Sequence, residues 1–108
     1  MKIDRINTDL KREISLILAN EVKDKNIEFV TLTAVETTND LSLAKVYVTC
    51  LNDEKRDEIM QSLKKAKGFI RSQLFSRMQL RKIPDLRFIY DESVAQGLKI
   101  EKIIKERI

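Results

Sequence analysis

Histidine is absent from this sequence, and cysteine and proline occur once each. Without histidine there is no imidazole to serve as a base. A lone thiol makes neither a disulfide framework nor a Cys/His zinc site within one chain. One cysteine fits a reducing compartment. With only two glycines and one proline, long loops and disorder are disfavoured. No apolar run approaches ~18 residues, so no membrane span is expected. The opening Met-Lys-Ile-Asp-Arg lacks the apolar stretch of a signal peptide. Neither a P-loop nor a dinucleotide glycine motif is present. Asp53, Glu54, Asp57 and Glu58 gather at a helix start, where acids suit the helix dipole, and do not resemble convergent catalytic carboxylates. The expectation is a protein that is not an enzyme and uses no cofactor, metal or small-molecule substrate.

Charge is plentiful, at 35% of residues, and it is unevenly placed. Residues 59–84 hold seven basic side chains and no acid: Lys64, Lys65, Lys67, Arg71, Arg77, Arg81 and Lys82. The whole chain is only +4, so removing the +7 of this segment leaves −3 elsewhere. A basic stripe on a faintly acidic small domain is the electrostatic footprint of a nucleic-acid binder. The competing reading is a solvated helix face. A chain of 108 residues reads as a single domain, 1–108, able to bury a little over ~60% of its unfolded surface.

Ile3, Ile6, Leu10, Ile14, Ile17 and Leu18 recur at helical steps and predict a first helix near 4–22, with Asp4 as its cap. The β-branched run 29–35 and the alternating run 44–50 predict an antiparallel hairpin turning at Asn39-Asp40. Asn52 or Asp53 can cap a second helix with the apolar stripe Ile59, Leu63, Ala66, Ile70 and Leu74. Arg77 and Arg81 would project into that stripe, where an arginine is costly. The helix is therefore expected to end, bend or change phase between Gly68 and Arg77. Pro84 precedes a third strand at 86–90, and Ser93-Val94-Ala95-Gln96 matches a capping box for a last helix. The crossover makes the second and third strands parallel. The expected architecture is α+β, in the order α-β-β-α-(kink)-α-β-α, with the helices on one face of a three-stranded mixed sheet. Val30, Leu32, Ala34, Val46, Val48 and Phe88 should face the helices. Phe69, Phe75 and Cys50 are read as core.

That order is the order of a type II KH domain. KH domains clamp a nucleic-acid backbone at a GXXG break between two helices; here the corresponding stretch is Ala66-Lys67-Gly68. With it stand Asp40-Leu41, Ala44-Lys45-Val46-Tyr47-Val48, Leu80-Arg81, Pro84-x-Leu86-x-Phe88 and Asp91-x-Ser93-x-x-x-Gly97. Together, over roughly residues 3–104, these resemble the bacterial ribosome-binding factor A family. The resemblance implies a KH-like fold with an Ala-x-Gly kink. It also implies a cytoplasmic factor that binds the free small ribosomal subunit and its rRNA, assists late maturation and precursor rRNA processing, and matters most in the cold. Many members carry a longer, flexible C-terminal tail, and the resemblance does not extend to any function of that tail.

A kink would start a helix near Phe69, whose unpaired amides and positive dipole end make a phosphate seat. Small residues Ala66 and Gly68 would let a phosphate approach. Lys64, Lys67 and Arg71 share a ~60° arc beside the apolar stripe. Arg77, Arg81 and Lys82 extend the positive surface, with Arg81 alternatively pairing with Asp85 or capping a helix end. The expected RNA-binding set is Lys64, Ala66, Lys67, Gly68, Arg71, Arg77, Arg81 and Lys82. Lys65 is read as serving solubility. Tyr47 alone makes a poor base-stacking platform on the sheet, which favours backbone and shape recognition. The chain is expected to be a monomer. A protein-interaction module using the open sheet face is the alternative.

Overall fold

The computed structural model describes residues 3–27, 30–50, 53–80 and 82–92. The first helix, α1, spans Ile3–Asn20 and buries Ile6, Leu10, Ile14, Ile17 and Leu18, the predicted stripe. Asp4 sits in its first turn, where Thr8 Oγ1 donates to the Asp4 carbonyl at 3.0 Å.

Strands β1 (Val30–Thr37) and β2 (Leu43–Cys50) pair antiparallel, and β2 pairs parallel with β3 (Asp85–Tyr90). The sheet order β1-β2-β3 is the expected mixed sheet. The hairpin turn is held by the Asp40 carboxylate. It accepts from the Ser42 amide (3.0 Å), the Ser42 hydroxyl (2.7 Å) and the Thr38 hydroxyl (2.7 Å). Those donors, Ser42 first and Thr38 next, lower the Asp40 pKa to about 2. The turn places Leu41 at φ 61°, a left-handed conformation that costs a branched side chain about 1–2 kcal/mol.

One strand residue departs from simple alternation. The β1–β2 register shifts between Leu32 and Ala34, the mark of a β-bulge at Thr33. The extra residue reverses the parity of the rest of β1. Val35, opposite Val46, is therefore buried, and Ala34, expected in the core, is only half-buried opposite Tyr47. The Thr33 hydroxyl donates to Asp91 Oδ2 at 2.7 Å, tying the bulge to the end of β3.

The expected helix–kink–helix pair is also different in the structure. After a short 3-10 turn at Asp53–Lys55, one continuous helix, α2, runs Arg56–Arg77 for 22 residues. It passes through Ala66-Lys67-Gly68 without interruption. Buried Ile59, Leu63, Ile70 and Leu74 lie in one helical phase on both sides of Gly68. Keeping that phase outweighs the ~1 kcal/mol a glycine costs a helix interior. The conflict that demanded a break is resolved at the helix end. Arg77 is the last residue of α2, and its guanidinium leans onto α1, 3.5 Å from Glu13 and 3.2 Å from Glu21. Paired at a rim, the charge does not enter the core. Met78 then turns to extended backbone while its amide still bonds the Leu74 carbonyl at 2.8 Å.

α1 and α2 pack on one face of the sheet around a single cluster of buried residues that includes Leu10, Ile14, Ile17, Val46, Val48, Leu63, Ile70, Leu74 and Leu86. The predicted last helix from Ser93 lies outside the described residues, as does Phe29. No helix among the described residues is long and apolar enough to cross a membrane.

Candidate nucleic-acid interface

α2 presents its apolar stripe to the sheet and leaves its opposite face to solvent. On an ideal helix Lys64 and Gly68 lie ~40° apart on that outer side, with Lys65, Phe69, Ser72 and Phe75 beside them. All six are exposed. Neither Lys64 nor Lys65 is in an ion pair among the described residues. Lys82 is likewise exposed and lies near enough to Asp40 to lower its pKa slightly.

The other predicted cations point elsewhere. Lys67 is half-buried on the flank, 3.7 Å from Asp85 Oδ1. Such a surface pair is worth little and opens readily. Arg71 is half-buried, donating Nε to the Pro84 carbonyl (3.2 Å) and Nη2 to the Ile83 carbonyl (3.0 Å). It therefore clamps the buried Ile83-Pro84 segment that leads into β3. Arg77 is committed to Glu13 and Glu21. Ala66 packs partly against the core. Arg81 lies outside the described residues. The structure thus brings Lys64 and Gly68 together, leaves Lys67 at their edge, and gives Arg71 and Arg77 partners inside the molecule.

The expected phosphate seat needs a different physical basis. In a continuous helix the amides of residues 66–70 are spent on carbonyls four residues earlier, so no free donors face out. The true N-terminus of α2 is no substitute. Asp57 and Glu58 occupy its first turn, and Arg56 there bonds Glu92 at 2.7 Å and covers the Tyr90 ring at 4.3 Å. The Glu92 hydrogen bond, ahead of its charge, raises the Arg56 pKa. What remains for an anion is side-chain charge over a small-residue floor. Gly68 has no positive φ, and a methyl group built on it meets no atom within 4 Å. Neither backbone conformation nor packing requires glycine there.

Sequence reasoning missed Phe69, Phe75 and Lys65. Phe75 is 71% exposed and Phe69 44%, not core. The signal was present: at 100° per residue each ring falls ~120° from the stripe, on opposite sides.

The sheet's open face contrasts with α2. The Tyr47 hydroxyl donates to Glu36 Oε2 at 3.4 Å, and its pKa is raised, by partial burial first and by the Glu36 carboxylate next. Glu36 stands opposite Lys45 across the strands. Cys50 is half-buried beside the Tyr90 hydroxyl, 3.8 Å away.

Fold and surface define a small α+β domain in which one cationic helix lies over a mixed three-stranded sheet. The family model of ribosome-binding factor A matches residues 2–104. The chain is 51% identical to a Staphylococcus carnosus ribosome-binding factor A over 107 residues, 98% of this chain and 93% of the relative. The chain belongs to the ribosome-binding factor A family. Its fold is similar to the crystal structure of ribosome-binding factor A from Thermus thermophilus. That likeness has a TM-score of 0.76 at 24% identity, over 82% of this chain and 94% of the other. A second Thermus thermophilus structure, a homology model fitted into the cryo-EM map of a 30S complex, gives a TM-score of 0.66 at 24% identity, over 80% and 91%.

Proposed function

We propose that this chain is a single-domain, KH-like, non-catalytic assembly factor that binds the small ribosomal subunit through rRNA. In this reading it acts as a monomer in the cytoplasm, assisting late subunit maturation and precursor rRNA processing, with its largest effect in the cold. Family membership supports the ribosomal partner, as does the 30S complex of the Thermus relative. The observation that carries the RNA contact is the outer face of α2, where exposed cations stand with no acid between Ile59 and Pro84.

Lys64, Lys65, Lys67 and Lys82 are the phosphate contacts in this reading, with Gly68 the point of closest backbone approach. Arg71 and Arg77 are positioning residues: one anchors the chain entering β3, the other docks α2 on α1. Long lysine stems keep their ammonium groups in water and give them up to phosphates with release of counterions. Recognition of this kind reads backbone and shape more than base sequence.

The test is cosedimentation with free small subunits. Lys64→Glu, Lys65→Glu and Lys67→Glu together should abolish it while circular dichroism stays unchanged. Four phosphate contacts predict a log–log salt slope of about −3 to −3.6 for the parent. Wild-type cosedimentation by the triple variant would refute the assignment.

A further inference from the structure

Phosphate binding accounts for the lysines of α2 but not for its two water-facing phenylalanines. Phe69 and Phe75 are two of the four phenylalanines in the chain, and both lie on the helix that carries the basic stripe. Phe75, 71% exposed, leaves most of its ring surface to water. Single exposed apolar residues are ordinary on protein surfaces. Here the arrangement around them has a pattern.

Phe69 and Phe75 each lie three residues from Ser72, ~60° to either side of it, separated by ~9 Å along the helix axis. The floor between them is Gly68, Ser72 and Ser76, all exposed and small. The Ser76 hydroxyl folds back onto the Ser72 carbonyl at 3.4 Å, so it does not stand up between the rings. Lys65 precedes Phe69 by four residues and Lys64 precedes Gly68 by four, which stacks each lysine over its neighbour on the helix surface. One ammonium group therefore lies one turn before Phe69 and another one turn before Gly68, while Phe75 stands ~10 Å beyond Gly68 at the far end of an unobstructed saddle.

A protein-docking helix face wants a contiguous apolar ridge at i, i+3, i+4 and i+7. This face has no such ridge, because small and polar residues separate the rings and a lysine borders Phe69. A duplex offers no base face to a ring. A single strand offers both phosphates and splayed bases, and aromatic side chains beside a cationic track are how such strands are held.

On the reading that RNA is the partner of α2, we infer that Phe75 and Phe69 are base-stacking residues for an unpaired rRNA segment whose phosphates lie on Lys64 and Lys65. The rings take two bases set apart along the strand, because their spacing is too wide to sandwich one. Gly68 and Ser72 admit the sugar-phosphate between them.

The test is fluorescence anisotropy with two probes: an oligoadenylate of about eight nucleotides and an abasic ribose-phosphate oligomer of equal length. The protein should bind oligoadenylate more tightly than the abasic probe. Phe75→Leu, which keeps apolar bulk but removes the π-face, should weaken oligoadenylate binding by about 5- to 150-fold. It should leave abasic binding and the salt slope unchanged. Phe75→Tyr should restore affinity. If Phe75→Leu binds oligoadenylate as the parent does while Lys64→Glu with Lys65→Glu does not, stacking is overturned and the RNA reading stands. If the parent binds neither probe and Phe75 crosslinks to a ribosomal protein on the small subunit, both readings fall.

Discussion

Two surfaces among the described residues, the outer face of α2 and the open face of the sheet, differ in how their polar groups are satisfied. On the sheet, Tyr47 engages Glu36, Thr33 engages Asp91, and Glu36 faces Lys45. Those side chains answer one another. On α2, Lys64 and Lys65 pair with no acid among the described residues, and two phenyl rings face solvent. Groups that find their partners within the chain mostly describe stability. Groups left without partners on a helix otherwise well packed are available to something outside it.

The sharpest way to break the comparison is charge reversal on each face. Lys64→Glu with Lys65→Glu should lower small-subunit affinity at least about 100-fold at physiological salt, since each lost phosphate contact also adds repulsion. Lys45→Glu with Arg87→Glu, exposed on β3 directly beside Lys45, should change it by less than about 3-fold. Equal effects on both faces would remove the distinction. Within α2 itself, Arg71→Ala should lower stability by about 2 kcal/mol in urea denaturation, because two carbonyl bonds from a charged donor are lost. Lys64→Ala, which removes no such bond, should change stability by less than about 0.5 kcal/mol.

Gly68→Ala separates fold from function at one position. With open space for the methyl group and no positive φ, the variant should gain about 1 kcal/mol of stability. If the bare backbone is where RNA approaches, its affinity should fall nonetheless. A variant that is stabler and binds equally well would show that Gly68 serves neither purpose. The smallest effect belongs to the hairpin turn. Asp40 has a folded pKa of about 2 against an ordinary 3.8, so its contribution is fully present above ~4 and fades as pH falls through ~2. Asp40→Asn should flatten that part of an acid-unfolding curve.

Much of the fold was legible because it rests on periodicity. The α1 stripe, the alternating β2 and the inward Leu63, Ile70 and Leu74 all follow from which residues can leave water together, and the parallel β2–β3 pair follows from the helical crossover between them. Parity failed where a backbone irregularity intervened: the bulge at Thr33 turned Val35 inward in place of Ala34. The candidate site was legible as a basic segment on a helix, on which Lys64 and Gly68 are exposed. Arg71 and Arg77 look the same as Lys64 in a charge count, yet their guanidinium groups reach carbonyls and carboxylates from β3's approach and from α1.

Local order alone therefore determined the element types, the helix-covered sheet and the concentration of positive charge between 59 and 84. Those depend on side-chain pattern along a few turns or one strand. Tertiary structure decided that α2 runs unbroken and that Arg77 ends it in ion pairs. It also decided that Arg71 turns inward to the Ile83 and Pro84 carbonyls. Each of these depends on which distant groups arrive alongside, and Glu13, Glu21 and Ile83-Pro84 reach α2 only when the chain folds back across the sheet.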